Sequence, residues 1–232
     1  MTRLIERPIA HRGLHDGNVT VYENTRSAFQ AAIDKGYGIE LDVQLSADHH
    51  AIVFHDDKLD RLTSQTGTVY AKTTSQIGQM NVGAGTDVPE TLDAILTFIN
   101  GRAPVVVEMK NNGIHNEALA SAVTKCVNAY SGAIAVMSFS KDLLRLVRDM
   151  DIACPVGLTA EGSGTKAHDA HREAFDIGMD FVSYHVHALP NGFVREARAR
   201  RVPVITWTVR NAADAALTYE YADQITFEGF RP

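Results

Sequence analysis

Residues 38–56 read GIELDVQLSADHHAIVFHD, two apolar-patterned runs joined by a polar turn. Glu40 and Asp42 stand two apart in the first run, so on a strand they leave the same face about 7 Å apart and both carboxylates can share one cation. Ile39, Leu41, Val43 and Leu45 fill the opposite face, and Ala51 to Phe54 is almost wholly apolar, which rests the charged groups on an ordered scaffold. With Asp48-His49 as a two-residue hairpin turn, residue 47 pairs with residue 50 and His55 falls opposite Asp42. Cross-strand Cβ atoms lie roughly 5 Å apart. An imidazole beside paired carboxylates is the layout expected where a metal-bound ligand gains or loses a proton.

The flanking chain repeats a strand-and-helix alternation. Pro8 to Ala10 is a short apolar strand that stops at His11-Arg12-Gly13 and delivers those side chains to a rim. After the loop HDGNVTVYENT, Thr25 caps a helix over 26–35 with Phe29, Ala32 and Ile33 at helical spacing, and Gly36 closes it. The stretch 57–89 is rich in Thr, Ser, Gln and Gly and exceeds the roughly 15 residues of a plain connection, which predicts an excursion over the active face. A helix over 91–100 follows, then APVVVEMK, a buried-type parallel strand that turns polar at its end. Beyond it, helices are expected at 115–130, 141–150, 166–177, 192–201 and 212–221, with strands at 133–139, 154–159, 181–186, 202–209 and 224–227.

With PIAHR, GIELDV and VVVEMK, that makes eight strands of parallel type. The expected fold is α/β, a (β/α)8 TIM barrel with a β-hairpin and a small insertion after strand 2, its catalytic groups at the strand C-terminal ends. Only Glu228 to Pro232 follow the eighth strand, so the C-terminal helix is shortened or missing, and the excursion or a partner subunit is expected to cover that strand. The 232 residues contain no linker and read as one domain over 1–232, with the insertion at about 57–90.

Hydrophobic content of 45% and charged content of 22% describe an ordinary globular chain. A net charge of −6 without a basic block argues against nonspecific nucleic-acid binding and against an anionic-membrane patch. No run reaches the ~18 apolar residues of a membrane span, and the N-terminus lacks a signal-type apolar region, so no membrane insertion and a cytoplasmic location are expected. Cys126 and Cys154 are too few and too isolated for a disulfide framework, which suits a reducing compartment.

Polar residues gather at the predicted strand ends: His11 and Arg12, Glu40 and Asp42, His55 on the return arm, Glu108 and Lys110, and Trp207. Glu108 and Lys110 repeat the i, i+2 spacing and both can face the barrel mouth. Carboxylates at 40, 42 and 108 suit a hard cation such as Mg²⁺ or Ca²⁺, with Mn²⁺ also accommodated, rather than Zn²⁺. Arg12 and Lys110 are the cations placed at that rim and supply local positive charge for a phosphate. Trp207 reads equally as a barrel-packing or a substrate-stacking residue. Glu23 and Asn24 are expected to fix the first loop, and His15, His49, His50, His115, His168 and His171 to be solvated.

In order along the chain stand AHRG at 10–13, ENT at 23–25, ELD at 40–42, FHD at 54–56 followed by Leu59, Arg61 and Thr63, VPETL at 88–92, EMK at 108–110, SF at 138–139 and WTV at 207–209. This ordered set resembles the glycerophosphodiester phosphodiesterase family. The resemblance implies a barrel hydrolase that takes a small-molecule phosphodiester and cleaves it into glycerol 3-phosphate and an alcohol with one divalent cation. It further implies Glu40, Asp42 and Glu108 as metal ligands, His11 and His55 as the acid/base pair, and Arg12 and Lys110 as phosphate contacts. A neighbouring glycerol hydroxyl as nucleophile, giving a cyclic phosphate first, belongs to the same implication. The family's hairpin turn commonly carries Asp-Gly where this chain has Asp48-His49. Its eighth strand usually ends in Thr-Asp where this chain has Thr226-Phe227-Glu228, so the resemblance assigns no role to Glu228.

Two other readings stay open. His185-Val186-His187 suggests a metal-dependent amidohydrolase-type barrel, although the first strand ends in a single His followed by Arg. The altered eighth strand suggests a catalytically silent phosphodiester-binding protein, against which the retention of both His11 and His55 speaks.

Overall fold

The structure, a computed structural model, describes residues 1–111 and 113–232. Its sheet takes, in chain order, β1 (Ile9–Ala10), β2 (Gly38–Leu45), β3 (Ala51–Val53), β4 (Val105–Met109), β5 (Ile134–Ser138), β6 (Val156–Ala160), β7 (Phe181–His185), β8 (Val204–Val209) and β9 (Gln224–Phe227). All but β3 run parallel, and β1 pairs with both β2 and β9, closing an eight-stranded barrel with helices between the strands. The predicted βα alternation is therefore present, with element ends within about two residues of expectation.

Period two sorts the strand residues. Ile9, Val106, Ala135, Met137, Phe181 and Ile205 pack together inside the barrel, and Leu4 joins them from α1 (Thr2–Ile5), a four-residue helix with no counterpart in the sequence reading. The amide of Gln224 on β9 donates to the Ile5 carbonyl, tying that helix to the last strand. The outer faces meet the helical stripes: α2 (Arg26–Asp34) buries Ala28, Phe29 and Ala32. Past the short α3 (Thr74–Ile77), α4 (Leu92–Ile99) buries Leu92, Ile95, Leu96 and Ile99. Thr25 and Thr91 each accept the N–H three residues on, the N-cap bonds their sequence positions promise.

The hairpin departs from expectation by one residue. Val43 opposes Val53, Gln44 opposes Ile52 and Leu45 opposes Ala51, and the Ser46 N–H donates the closing bond to the His50 carbonyl, so residues 47–49 form a three-residue loop. His49 takes the left-handed conformation at φ 62°. Asp48, expected at the centre of a two-residue turn, instead accepts from the Ser46 hydroxyl and from the N–H and hydroxyl of Thr74. Without the Asn-Gly or Asp-Gly pair that favours a two-residue turn, the longer loop wins. Phe54, not His55, then lies against Asp42, donating its N–H to the Asp42 carbonyl at 3.0 Å.

The 57–90 excursion builds its own apolar cluster from Leu59, Leu62, Val69, Ile77, Met80 and Val82 on Ile52 and Phe54, with Tyr22 packed against it. The sequence reading has the excursion or a partner subunit covering the last strand, but the aromatic contacts there come from other residues. Phe227 of β9 instead meets Tyr37 edge-on at 4.9 Å and Phe230 at 5.8 Å, so the residues after β9 fold back over it. Among the described residues no helix follows β9.

Candidate active site

The carboxylate group follows from strand register. Asp42 on β2 and Glu108 on β4 are direct neighbours, and Glu40 lies two residues before Asp42 on the same face. All three are buried and offer oxygen atoms within 4.8 Å of one another. The turn after β1 reaches them because Arg12 and Gly13 are both left-handed, at φ 57° and 80°. A Cβ on Gly13 would sit 2.8 Å from that of Ala28, so only glycine lets this turn lie against α2. It aims the Arg12 N–H at Glu40 Oε2, 2.9 Å away, and the guanidinium Nε at Asp42 Oδ2, 3.3 Å away. Asn24, also left-handed, clamps Asp42 by donating to Oδ2 and accepting its backbone N–H. The Lys110 ammonium pairs with Asp42 Oδ1 at 2.7 Å and with Glu108.

Burial dominates the ionisation of this group. It raises Glu40 well above the usual carboxylate range, reinforced by the charges of Asp42 and Glu108, and it raises Glu108 against the pull of Lys110. Burial acts on Asp42 in the same sense, but Lys110 and Arg12 outweigh it and hold that carboxyl low. Lys110 is in turn held charged by Asp42 and Glu108 in spite of its burial. Glu40 Oε1 has no hydrogen-bond partner. A crowded, all-oxygen set with one orphaned carboxylate oxygen fits a hard divalent cation.

Each histidine carries a carboxylate on Nδ1. His11 Nδ1 lies 2.6 Å from Glu228 Oε2, with Nε2 3.9 Å from Glu40; His55 Nδ1 lies 2.7 Å from Asp56 Oδ1. Burial lowers both imidazoles below their ordinary value, although Glu228 and Asp42 respectively pull the other way. Arg61 then forks twice: Nε and Nη2 donate to Asp56, and Nη1 and Nη2 donate to Glu23. Glu23 also receives Arg12 at 2.7 Å and Asn18 at 2.6 Å. Glu23 is held at about 2, burial opposing and Arg61 and Arg12 prevailing, and Asp56 at about 2, chiefly by Arg61.

These residues frame one cavity of about 240 Å³, lined by His11, Arg12, Glu40, His55, Glu108, Lys110 and Trp207. Asp42, 1% exposed, completes the carboxylate group beside it. The predicted set is thus brought together. The cavity also receives Arg210 and Glu228, so Arg12 and Lys110 are not its only cations. Trp207 meets Phe139 and His185 edge-on at 5.4 and 5.0 Å, and its indole N–H donates to the Ser183 carbonyl. His187 does not join: it is 63% exposed and bonds Asp214 at 3.0 Å. Among the described residues, Glu40, Asp42 and Glu108 are the one group that could hold a metal ion. His15, expected in solvent, is largely enclosed 3.8 Å from Glu228, and His171 bonds the Glu161 carbonyl.

The sequence profile of the Glycerophosphoryl diester phosphodiesterase family matches residues 11–224. The chain belongs to this family. It is accordingly an enzyme of the phosphodiester-hydrolysing class. It is 30% identical over 219 residues to the glycerophosphodiester phosphodiesterase of Caldanaerobacter subterraneus subsp. tengcongensis, covering 89% of this chain and 86% of that one. It is 26% identical over 249 residues to human glycerophosphodiester phosphodiesterase 1, covering 91% and 74%. An Oleispira antarctica phosphodiesterase solved with the product sn-glycerol-3-phosphate shares the fold at a TM-score of 0.84 and 19% identity, over 97% of this chain and 93% of that one. No helix among the described residues is long and apolar enough to cross a membrane.

Proposed function

We propose that the chain hydrolyses glycerophosphodiesters to glycerol 3-phosphate and an alcohol, with Glu40, Asp42 and Glu108 holding Mg²⁺, Ca²⁺ or Mn²⁺ and His11 and His55 moving the protons. The observation that carries this reading is the meeting of both histidines, each with a carboxylate on Nδ1, and the three-carboxylate group at one cavity. When bound, the cation supplies charge stabilisation at the phosphoryl oxygens. Arg12 and Lys110 hold the phosphate, and one imidazole takes the proton of the attacking hydroxyl while the other delivers one to the leaving oxygen. Trp207, one of the lining residues, is a wall for the substrate.

The test is glycerol 3-phosphate release from glycerophosphocholine and a panel of related diesters, with and without EDTA. Turnover is expected to vanish in chelator and to return with Mg²⁺, Ca²⁺ or Mn²⁺. Full activity of metal-stripped protein in EDTA would remove the metal assignment, and no glycerol 3-phosphate from any diester would remove the substrate class.

A further inference from the structure

We infer that Glu228 is the positioning residue of His11, fixing its ring with the proton on Nδ1 so that Nε2 meets the cavity as the base. The inference rests on the proton-transfer role proposed above for His11. Thr226 faces the cavity and Phe227 packs outward on Tyr37, so the residue after β9 returns to the cavity side by strand alternation. Two backbone bonds anchor that turn across the seam: the His11 N–H donates to Phe227, and the Glu228 N–H donates to Val209. Both carboxylate oxygens are engaged, Oε2 by His11 Nδ1 at 2.6 Å and Oε1 by Arg210 Nε and Nη2 at 2.9 and 2.6 Å. His11, His15 and Arg210 keep the Glu228 carboxyl well below the usual range although burial opposes them. An ionised carboxylate only accepts, so Nδ1 must carry the hydrogen, and the lone pair then sits on Nε2. A one-residue shift relative to the family's Thr-Asp ending is thus met by a longer side chain held in place by Arg210.

A merely structural Glu228 would tie the 209–211 turn to β9 and leave the imidazole indifferent. The experiment compares wild type, Glu228→Gln and Glu228→Ala in three measurements: steady-state kinetics on glycerophosphocholine, thermal melting, and the ¹⁵N shifts of the His11 ring nitrogens at neutral pH. Wild type is expected to show the Nδ1–H tautomer and Glu228→Ala a mixture of the two. In both variants kcat is expected to fall about tenfold to a hundredfold, below the full ~10²–10⁴ of general acid–base catalysis, with KM and melting unchanged. An unaltered His11 tautomer in Glu228→Ala, or a loss confined to KM and melting, would overturn the inference. If no diester is turned over but the tautomer still scrambles, the positioning stands and only the reading of the reaction falls.

Discussion

His11 stands on the seam where β1 meets β9, and its carboxylate partner comes from 217 residues away. His55 stands beyond the hairpin arm, and its partner is the next residue in the chain. The His11 side is made of strand ends alone, locked by Arg210. On the other side, Arg61 from the excursion joins Asp56 to Glu23, and Glu23 holds Arg12, so one exposed guanidinium steadies both a histidine and a proposed phosphate contact. The same local arrangement, a carboxylate on Nδ1 with an arginine behind it, is thus reached once through closure of the barrel and once through an added unit. The two sides should fail differently when damaged.

Both sides converge on Asp42, which binds Arg12, Asn24 and Lys110, and the largest effect is expected there. Asp42→Asn should abolish Mg²⁺ or Ca²⁺ binding in calorimetric titration, whereas the double change His185→Ala with His187→Ala should leave it largely intact. Metal loss only in the double-histidine variant would move the metal centre to the other rim. Next in size, His11→Ala and His55→Ala should each lower kcat by about 10² or more with unchanged circular dichroism and melting. Near-normal turnover in one of them would show that the two sides are not a working pair.

The arginines separate the two constructions. Arg61→Met leaves buried Glu23 and half-buried Asp56 without their fork, and at roughly 2 kcal/mol for lost charged hydrogen bonds Tm should fall by about 4–8 °C. Turnover should drop about tenfold as His55 and Arg12 lose their support. Arg210 is 59% exposed, and Arg210→Met should leave Tm within about 1 °C. Equal melting of the two variants would erase the distinction. The smallest effect is the acid response. Glu23 and Asp56 are held at about 2, below their ordinary 4.5 and 3.8, so the native state binds fewer protons than the unfolded chain. Their stabilisation is present above about pH 4.5 and lost as pH falls toward 2. Calorimetric scans should therefore show Tm of wild type falling more steeply from pH 5 to pH 3 than that of Arg61→Met; parallel curves would contradict the assignment.

Much of this was legible in local pattern. Alternation placed Glu40, Asp42 and Glu108 on one face, and the βα rhythm ordered the strands. The hairpin register was misread because loop length selects register, and Asp48 is drawn to Thr74, 26 residues away, by bonds that carry no periodic signal. His55 still reaches the cavity, since it lies beyond the paired segment. Glu228 and Arg61 both stand in the quoted stretches, but what they bind does not show there for a related reason: their partners are set by topology. Residue type alone does not distinguish them from solvated charges. The four-residue α1 is too short to announce itself against a background of turns.

The barrel closes through β1, two residues long, and the strand it must meet is β9, the last among the described residues. His11 and Glu228 therefore face each other only after every strand between them has been threaded into place. Contacts of such sequence separation carry a loop-closure cost that must be met before they contribute. Timing follows from this geometry: a chain still emerging from synthesis carries its carboxylates, its cations and the His55 arm but no finished His11 dyad. A product cut short before β9 would lack both the closing strand of the barrel and the carboxylate on His11, however well its first strands had paired.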